Sequence, residues 1–121
     1  MVKRILVVDD EEILRMLICD TLEDLGYEIE EAEDGEEALN KVSEQSYDLM
    51  ILDYMMPNIT GIEVIEQLPK EIKQTLPVLM LTAKAQEADR QAVLEKGADY
   101  FMSKPFSPVD LAQVVEEILN V

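Results

Sequence analysis

The stretch Asp48-Leu49-Met50-Ile51-Leu52-Asp53-Tyr54-Met55-Met56-Pro57 decides the fold. Its apolar run, Leu49 to Leu52, is too short and too continuous for an amphipathic surface helix, and Pro57 interrupts the chain soon afterwards. Such a run reads as a strand buried on both faces, as in a parallel sheet covered by helices. Asp53 closes that strand. A carboxylate in this place lies at the carboxyl edge of the sheet, where open α/β folds hold their ligands.

Other segments bring reactive groups to the same edge. Ile5-Leu6-Val7-Val8 ends in Asp9-Asp10, Val78-Leu79-Met80-Leu81 ends in Thr82, and Tyr100-Phe101-Met102 is followed by Ser103-Lys104-Pro105. Tyr27 to Ala32 alternates in part, with Tyr27 and Ile29 set against Glu28 and Glu30, and reads as a strand nearer an edge. Carboxylates, a hydroxyl and an ammonium gathered at strand ends suit a divalent cation together with a phosphoryl group.

Helical segments separate the strands. The first, capped by Asp10 or Glu11, runs to about Leu25 before Gly26 stops it. Leu14, Leu17, Ile18, Thr21 and Leu25 recur at helical spacing as its expected core stripe, which turns Met16 and Cys19 outward and Ile13 to the flank. Asp34-Gly35 opens a second helix through about Glu44, with Ala38, Leu39 and Val42 inward. A third is expected from about Ile62 through Leu68, with Ile62, Ile65 and Leu68 inward and Pro69 interrupting or ending it. Glu87 to Lys96 follows, with Ala88, Ala92 and Val93 on one side and Gly97 after it. Ser107-Pro108-Val109-Asp110 combines an N-cap, a proline and an acid in the order that starts a helix, and Leu111, Val114, Val115 and Ile118 form its core face. The alternation is (βα)₅. It predicts an α/β fold with a doubly wound five-stranded parallel sheet, right-handed crossovers and helices on both faces.

The chain of 121 residues is read as one domain over 1–121, with 48% hydrophobic and 31% charged residues, as in folded soluble proteins. No apolar stretch approaches the roughly 20 residues that span a bilayer. No signal peptide is read at the N-terminus. Cys19 is alone and histidine is absent, which excludes an internal disulfide and a Cys/His zinc site and fits a reducing, cytoplasmic setting. The net charge is −17, from 27 acidic and 10 basic residues. That field opposes direct binding to DNA or RNA and favours divalent cations and basic partner surfaces. The last helix runs to the end without a linker, which favours a chain that stands alone.

An Asp-Asp pair after a strand is usually a helix cap or a solvated turn. The combination of Asp9-Asp10, Asp53, Thr82 and Lys104-Pro105 is far more specific, and on these residues the chain resembles the receiver domains of two-component response regulators over essentially its whole length. The resemblance implies the flavodoxin-like, three-layer fold with strand order 2-1-3-4-5. It implies that Asp53 accepts a phosphoryl group from a phosphohistidine on a sensor histidine kinase or histidine phosphotransfer protein. It further implies Mg²⁺ held directly by Asp10 and Asp53, through water by Asp9, and by the backbone carbonyl of Met55. Lys104 would pair first with the Asp53 carboxylate and then with a phosphoryl oxygen, Thr82 would bond another, and the Lys104–Pro105 bond would be cis. Thr82 would move towards the phosphoryl group while Phe101 turns inward behind it; many relatives carry Tyr there, and Phe fills the same gap without a hydroxyl to hold an outward state. A partner helix would dock on Ile13, Met16 and Cys19 and on Pro105 and Phe106.

The function so implied is a phosphorylation-driven switch that signals to a downstream output protein and turns over no separate substrate. It would act as a monomer, with no contact to membrane or nucleic acid. The pairing through the segment 87–96, the strand at 100–102 and the last helix, used by DNA-binding regulators, is not expected. That face offers Asp110, Glu116 and Glu117 with few basic partners apart from Arg90 and Lys96. Two other readings compete. A Mg²⁺-dependent phosphohydrolase with an aspartate nucleophile commonly has a second acid/base Asp two residues on, where this chain has Met55, and it would need a cap segment for substrate. A receiver-like scaffold working without phosphorylation would have lost a pocket residue, and none is lost.

Overall fold

The computed structural model describes residues 2–83 and 87–120, and of residues 87–90 the backbone alone. Five strands, β1 (Arg4–Val8), β2 (Glu28–Ala32), β3 (Leu49–Asp53), β4 (Val78–Thr82) and β5 (Tyr100–Ser103), alternate with helices α1 (Glu12–Glu23), α2 (Gly35–Glu44), α3 (Gly61–Gln67), α4 (Lys70–Thr75), α5 (Glu87–Glu95) and α6 (Pro108–Leu119). The sheet order is β2-β1-β3-β4-β5 and every pairing is parallel.

The continuous apolar strands are explained by two separate cores. Leu6, Val8, Met50, Leu52, Val78 and Met80 point to the face covered by α2, α3, α4 and α5. Ile5, Val7, Leu49, Ile51, Leu79 and Leu81 point to the face covered by α1 and α6. A strand that alternates its side chains between two buried faces has no polar position left, so β1, β3 and β4 read as unbroken runs. The edge strand β2 keeps three glutamates, Glu28, Glu30 and Glu31, and only Ala32 of it is fully buried. Charges on an exposed strand edge discourage pairing with another chain.

Helix starts follow local chemistry. Asp34 accepts a hydrogen bond from the Glu37 amide, Thr60 and Glu63 form a reciprocal capping box, and Ser107 accepts from the Asp110 amide ahead of Pro108. At the start of α1, Glu11 makes no side-chain cap; the Glu11 amide instead donates to Oδ1 of Asp9 at 2.9 Å. Gly26 ends the turn after α1 at φ +94°, a left-handed conformation that suits a residue without Cβ.

Three local readings are corrected. The buried stripe of α1 is Arg15, Ile18, Cys19 and Leu22, while Leu17 and Leu25 are exposed. At about 100° per residue this is a rotation of roughly 90° from the expected stripe. Cys19 therefore packs in the core and is not a docking residue. The physical reason is that the paired guanidinium of Arg15 tolerates burial, so hydrophobicity alone misplaced the inward face. Secondly, Pro69 interrupts the helical segment, one of the two readings allowed, but the helix that follows it, α4, was not expected. Thirdly, Val64 is buried and Ile62 only partly so, and in α5 Val93 is buried while Ala92 is exposed. The side-chain readings for Ala88 and Arg90 lie outside the described residues.

Candidate functional site

The carboxyl edge of the sheet collects the acidic residues by register. Val8 pairs with both Ala32 and Leu52, so the next residues, Asp9 and Asp53, emerge side by side. The Asp9 amide still donates to the Ala32 carbonyl at 3.2 Å, which holds the end of β1 against β2. Asp9 is 0% and Asp53 4% exposed, whereas Asp10 faces solvent. One carboxylate oxygen from each of Asp9, Asp10 and Asp53 lies within 4.8 Å of the others.

Lys104 arrives from the end of β5. Its amide donates to the Thr82 carbonyl at 2.7 Å, and Thr82 is in register with Ser103, so the last two strands are tied together beside the acidic cluster. The Lys104–Pro105 peptide bond is cis. The Lys104 ammonium lies 3.1 Å from Asp53 Oδ1, 3.4 Å from Asp9 Oδ2 and 3.5 Å from Glu11 Oε1. Thr82 is buried at the end of β4. Phe101 is half-buried two residues before Ser103, and so shares Thr82's side of the pleat. It packs against the core that contains Met80 and Val93.

Electrostatics in this place are unbalanced. Burial, and then the charge of Asp9, push the Asp53 carboxyl up to about 6, against the opposing pull of Lys104. Burial also raises Asp9, with the Glu11 amide and Lys104 working in the opposite direction. For Lys104 burial works against the ammonium, but the hydrogen bond and charge of Asp53 and the charges of Asp9 and Glu11 prevail and raise its pKa. Among the described residues, the carboxylates of Asp9, Glu11 and Asp53 share the Lys104 ammonium, with Asp10 beside them, so negative charge exceeds positive there. Hard oxygen donors in a cation-poor cluster are the donor set that a hard divalent ion takes.

The backbone is close-packed at the same point. Gly61 lies so near the end of β3 that a Cβ there would sit 2.6 Å from the Asp53 carbonyl oxygen and 2.9 Å from the Met80 sulfur. The Gly61 amide donates to the Tyr54 carbonyl at 2.8 Å, which closes the loop that carries Met55 and Pro57. Met55 is exposed.

The structure thus brings Asp9, Asp10, Asp53 and Lys104 together, with Thr82 and Phe101 on the adjoining strands. Of the surface residues, Ile13 is 84% and Met16 55% exposed on α1, Pro105 is exposed, and Phe106 is half-buried against the core that includes Leu111. Sequence reasoning missed Glu11 as a Lys104 partner and Arg15 altogether. Arg15 stands at i, i+3, i+4, i+7 spacing with Ile18, Cys19 and Leu22, and that periodicity was the available signal.

Comparison with known proteins decides what the site belongs to. The family model described as the response regulator receiver domain matches residues 5–116. The chain belongs to the response regulator receiver family. Among its relatives, this receiver is 50% identical over 118 residues to the alkaline phosphatase synthesis transcriptional regulatory protein PhoP of Bacillus subtilis, covering 98% of this chain and 49% of that protein. It is 42% identical over 121 residues to the phosphate regulon transcriptional regulatory protein PhoB of Escherichia coli, covering 99% of this chain and 53% of that one. The chain therefore spans about half the length of these relatives. Among solved structures, chemotaxis response regulator CheY4 of Vibrio cholerae superposes with a TM-score of 0.93 at 34% identity, covering 98% of this chain and 100% of CheY4. TrrA of Thermotoga maritima, described in complex with Mg²⁺-BeF, superposes with a TM-score of 0.85 at 42% identity, covering 97% of this chain and 99% of TrrA. This receiver is a phosphorylation signalling switch of two-component systems, and such a domain implies a sensor kinase as partner. No helix among the described residues is long and apolar enough to cross a membrane.

Proposed function

We propose that Asp53 is the phosphoacceptor and that the switch is set by its phosphorylation state. The observation that carries this reading is the buried Asp53 carboxylate, 3.1 Å from the Lys104 ammonium within the three-carboxylate cluster. A phosphohistidine on a sensor histidine kinase or histidine phosphotransfer protein is the donor. An Asp53 oxygen bonds to phosphorus, the P–N bond breaks, and its electron pair returns to the imidazole nitrogen. The transition state is loose, so the work of the site is positioning and charge neutralisation. Lys104 releases part of its contact with Asp53 and meets a phosphoryl oxygen, and the Thr82 hydroxyl meets another.

Mg²⁺ is the cation we propose: Asp10, Asp53 and the Met55 carbonyl would hold it, with Asp9 acting through water, and it would neutralise charge on the phosphoryl oxygens. The relative TrrA, described with Mg²⁺-BeF, supports that choice. Thr82 and Phe101, on one side of adjacent strands, form the relay from the site to the α5–β5 surface. The chain turns over no substrate besides its own aspartyl phosphate and works in the cytoplasm, as one receiver domain over 1–121. Ile13, Met16, Pro105 and Phe106 form the docking surface for the donor. The output is carried by a partner or by a further segment; several relatives are named as transcriptional regulatory proteins.

Incubation with acetyl phosphate and Mg²⁺, read by intact mass, tests the assignment. One phosphoryl group should add to the wild-type chain and none to Asp53→Ala, and chelator should abolish the labelling. A stable adduct on Asp53→Ala overturns it, as does labelling indifferent to chelator.

A further inference from the structure

Arg15 is a charged side chain that is only 7% exposed, and no step above uses it. Burying a guanidinium is costly unless its donors are satisfied. Here its Nε donates to Glu31 Oε1 at 2.8 Å and its Nη1 to the backbone carbonyl of Asp9 at 2.7 Å, while Nη2 lies 3.8 Å from Glu33 Oε1. Burial alone would lower its pKa, but the hydrogen bond and charge of Glu31 and the charge of Glu33 outweigh it, so the cation is permanent. Glu31 is itself a fixed anchor: it pairs in register with Val7, and its carbonyl accepts from Lys41 Nζ at 2.6 Å. One planar group therefore joins the end of β2 to the Asp9–Asp10 peptide.

That peptide is where the cluster is least supported. Asp9 and Asp53 are buried and share Lys104, but Asp10 is exposed. The placement of its carboxylate is set by the backbone that carries it. The turn is clamped from two sides: Asp9 Oδ1 accepts from the Glu11 amide at 2.9 Å, and the Asp9 carbonyl accepts from Arg15. We propose that Arg15 is a positioning residue for the cation site, a fork between Glu31 and the Asp9 carbonyl that orients the Asp9–Asp10 peptide and so holds the Asp10 carboxylate in the cluster. This inference rests on the Asp10–Asp53 cation reading given above. It goes beyond that reading by assigning Mg²⁺ affinity to a residue that touches no cation.

Groups that orient metal ligands typically change affinity by about 10- to 100-fold when removed. An anchor acting through the backbone belongs at the lower end. Calorimetric titration of the chain with Mg²⁺ alone, beside acetyl phosphate labelling across Mg²⁺ concentration, provides the test. Arg15→Gln is expected to raise the Mg²⁺ Kd about 3- to 30-fold. Labelling should need correspondingly more Mg²⁺ and approach the wild-type rate at saturation. A general loss of packing would not produce that split. Arg15→Lys keeps the charge but not the fork, so it should behave like Arg15→Gln. Unchanged Mg²⁺ affinity in Arg15→Gln overturns the inference, and so does full restoration by Arg15→Lys. If Arg15→Gln does not fold, Glu31→Gln decides: a smaller rise in Kd supports the fork and an unchanged Kd overturns it. A wild-type chain that binds no Mg²⁺ sinks the cation reading itself, and this inference with it, which is a different result from a wild-type chain that binds and a variant that binds equally well.

Discussion

Asp53 holds a negative charge where burial and a neighbouring carboxylate both resist it. Its pKa is raised from the ordinary 3.8 to about 6. An acid with a raised folded-state pKa contributes stability that is fully present below the unfolded pKa and lost as pH rises through the folded one. In chelator, this contribution should vanish as pH rises from about 4 to about 6. Asp53→Asn cannot ionise and escapes the loss, so at neutral pH without divalent cation it should be more stable than wild type by roughly 1–3 kcal/mol. Urea unfolding at pH 4 and pH 7 measures this; equal differences at both pH values would remove the argument. Gly61 works at the same scale through contact. A methyl group placed 2.6 Å from the Asp53 carbonyl forces the loop away, so Gly61→Ala should cost about 1–3 kcal/mol and slow labelling at Asp53. Cys19, 5% exposed and with its thiol pushed up to about 12, mainly by burial, should resist a thiol reagent at pH 8 until denaturant is added. Rapid modification of the native chain would contradict its place in the core.

At the scale of elements, α1 serves two neighbours. Its inner stripe packs Ile18, Cys19 and Leu22 against the sheet and sends Arg15 to the acidic turn, while its outer face leaves Ile13, Met16 and Leu17 in water. Apolar side chains on an outward helix face next to a reactive site suit a partner helix. Met16→Glu should therefore slow phosphotransfer from the cognate phosphohistidine donor by about tenfold, about 1.4 kcal/mol, and leave labelling by acetyl phosphate as it was. Equal rates from both donors would move the docking surface elsewhere. The α3–α4 pair shows a different element-scale effect. Proline's missing amide stops α3, yet the chain after Pro69 regains helical geometry at once, since a helix start tolerates a residue without N–H.

On the scale of the whole molecule, charge governs association. The outer side of α6 carries Asp110, Glu116 and Glu117, all exposed, and Val109 beside them. Lys96, just after α5, is exposed, and its ammonium is 4.0 Å from Glu66 of its own chain. Two copies meeting through α5, β5 and α6 would bring these acids together, with few basic residues in those segments apart from Arg90 and Lys96. The beryllofluoride-treated chain should sediment as a monomer at micromolar concentration. A dimer whose contacts map to α6 would show that this face overcomes its charge. The net −17 also directs encounter, since an acidic receiver meets a basic donor surface faster at low salt.

Much of this was written in the order of residues. Strands buried on both faces lack polar positions, so Leu49–Leu52 and Val78–Leu81 announced a covered parallel sheet, and the acids, Thr82 and Lys104 that follow such strands had to share one edge. Local chemistry was equally legible: Ser107-Pro108-Val109-Asp110 starts a helix whatever surrounds it. The rotation of α1 was not legible, because periodicity defines a stripe only as well as hydrophobicity separates in from out. Arg15 breaks that separation. Its burial depends on Glu31, 16 positions away, and on a carbonyl at the end of another strand. Spacing with Ile18, Cys19 and Leu22 admits Arg15 to an inner stripe, but only its partners show that the charge can be buried there. The sequence by itself therefore determined which groups meet at the sheet edge, and only the tertiary structure decided which buried cation holds the turn beneath them.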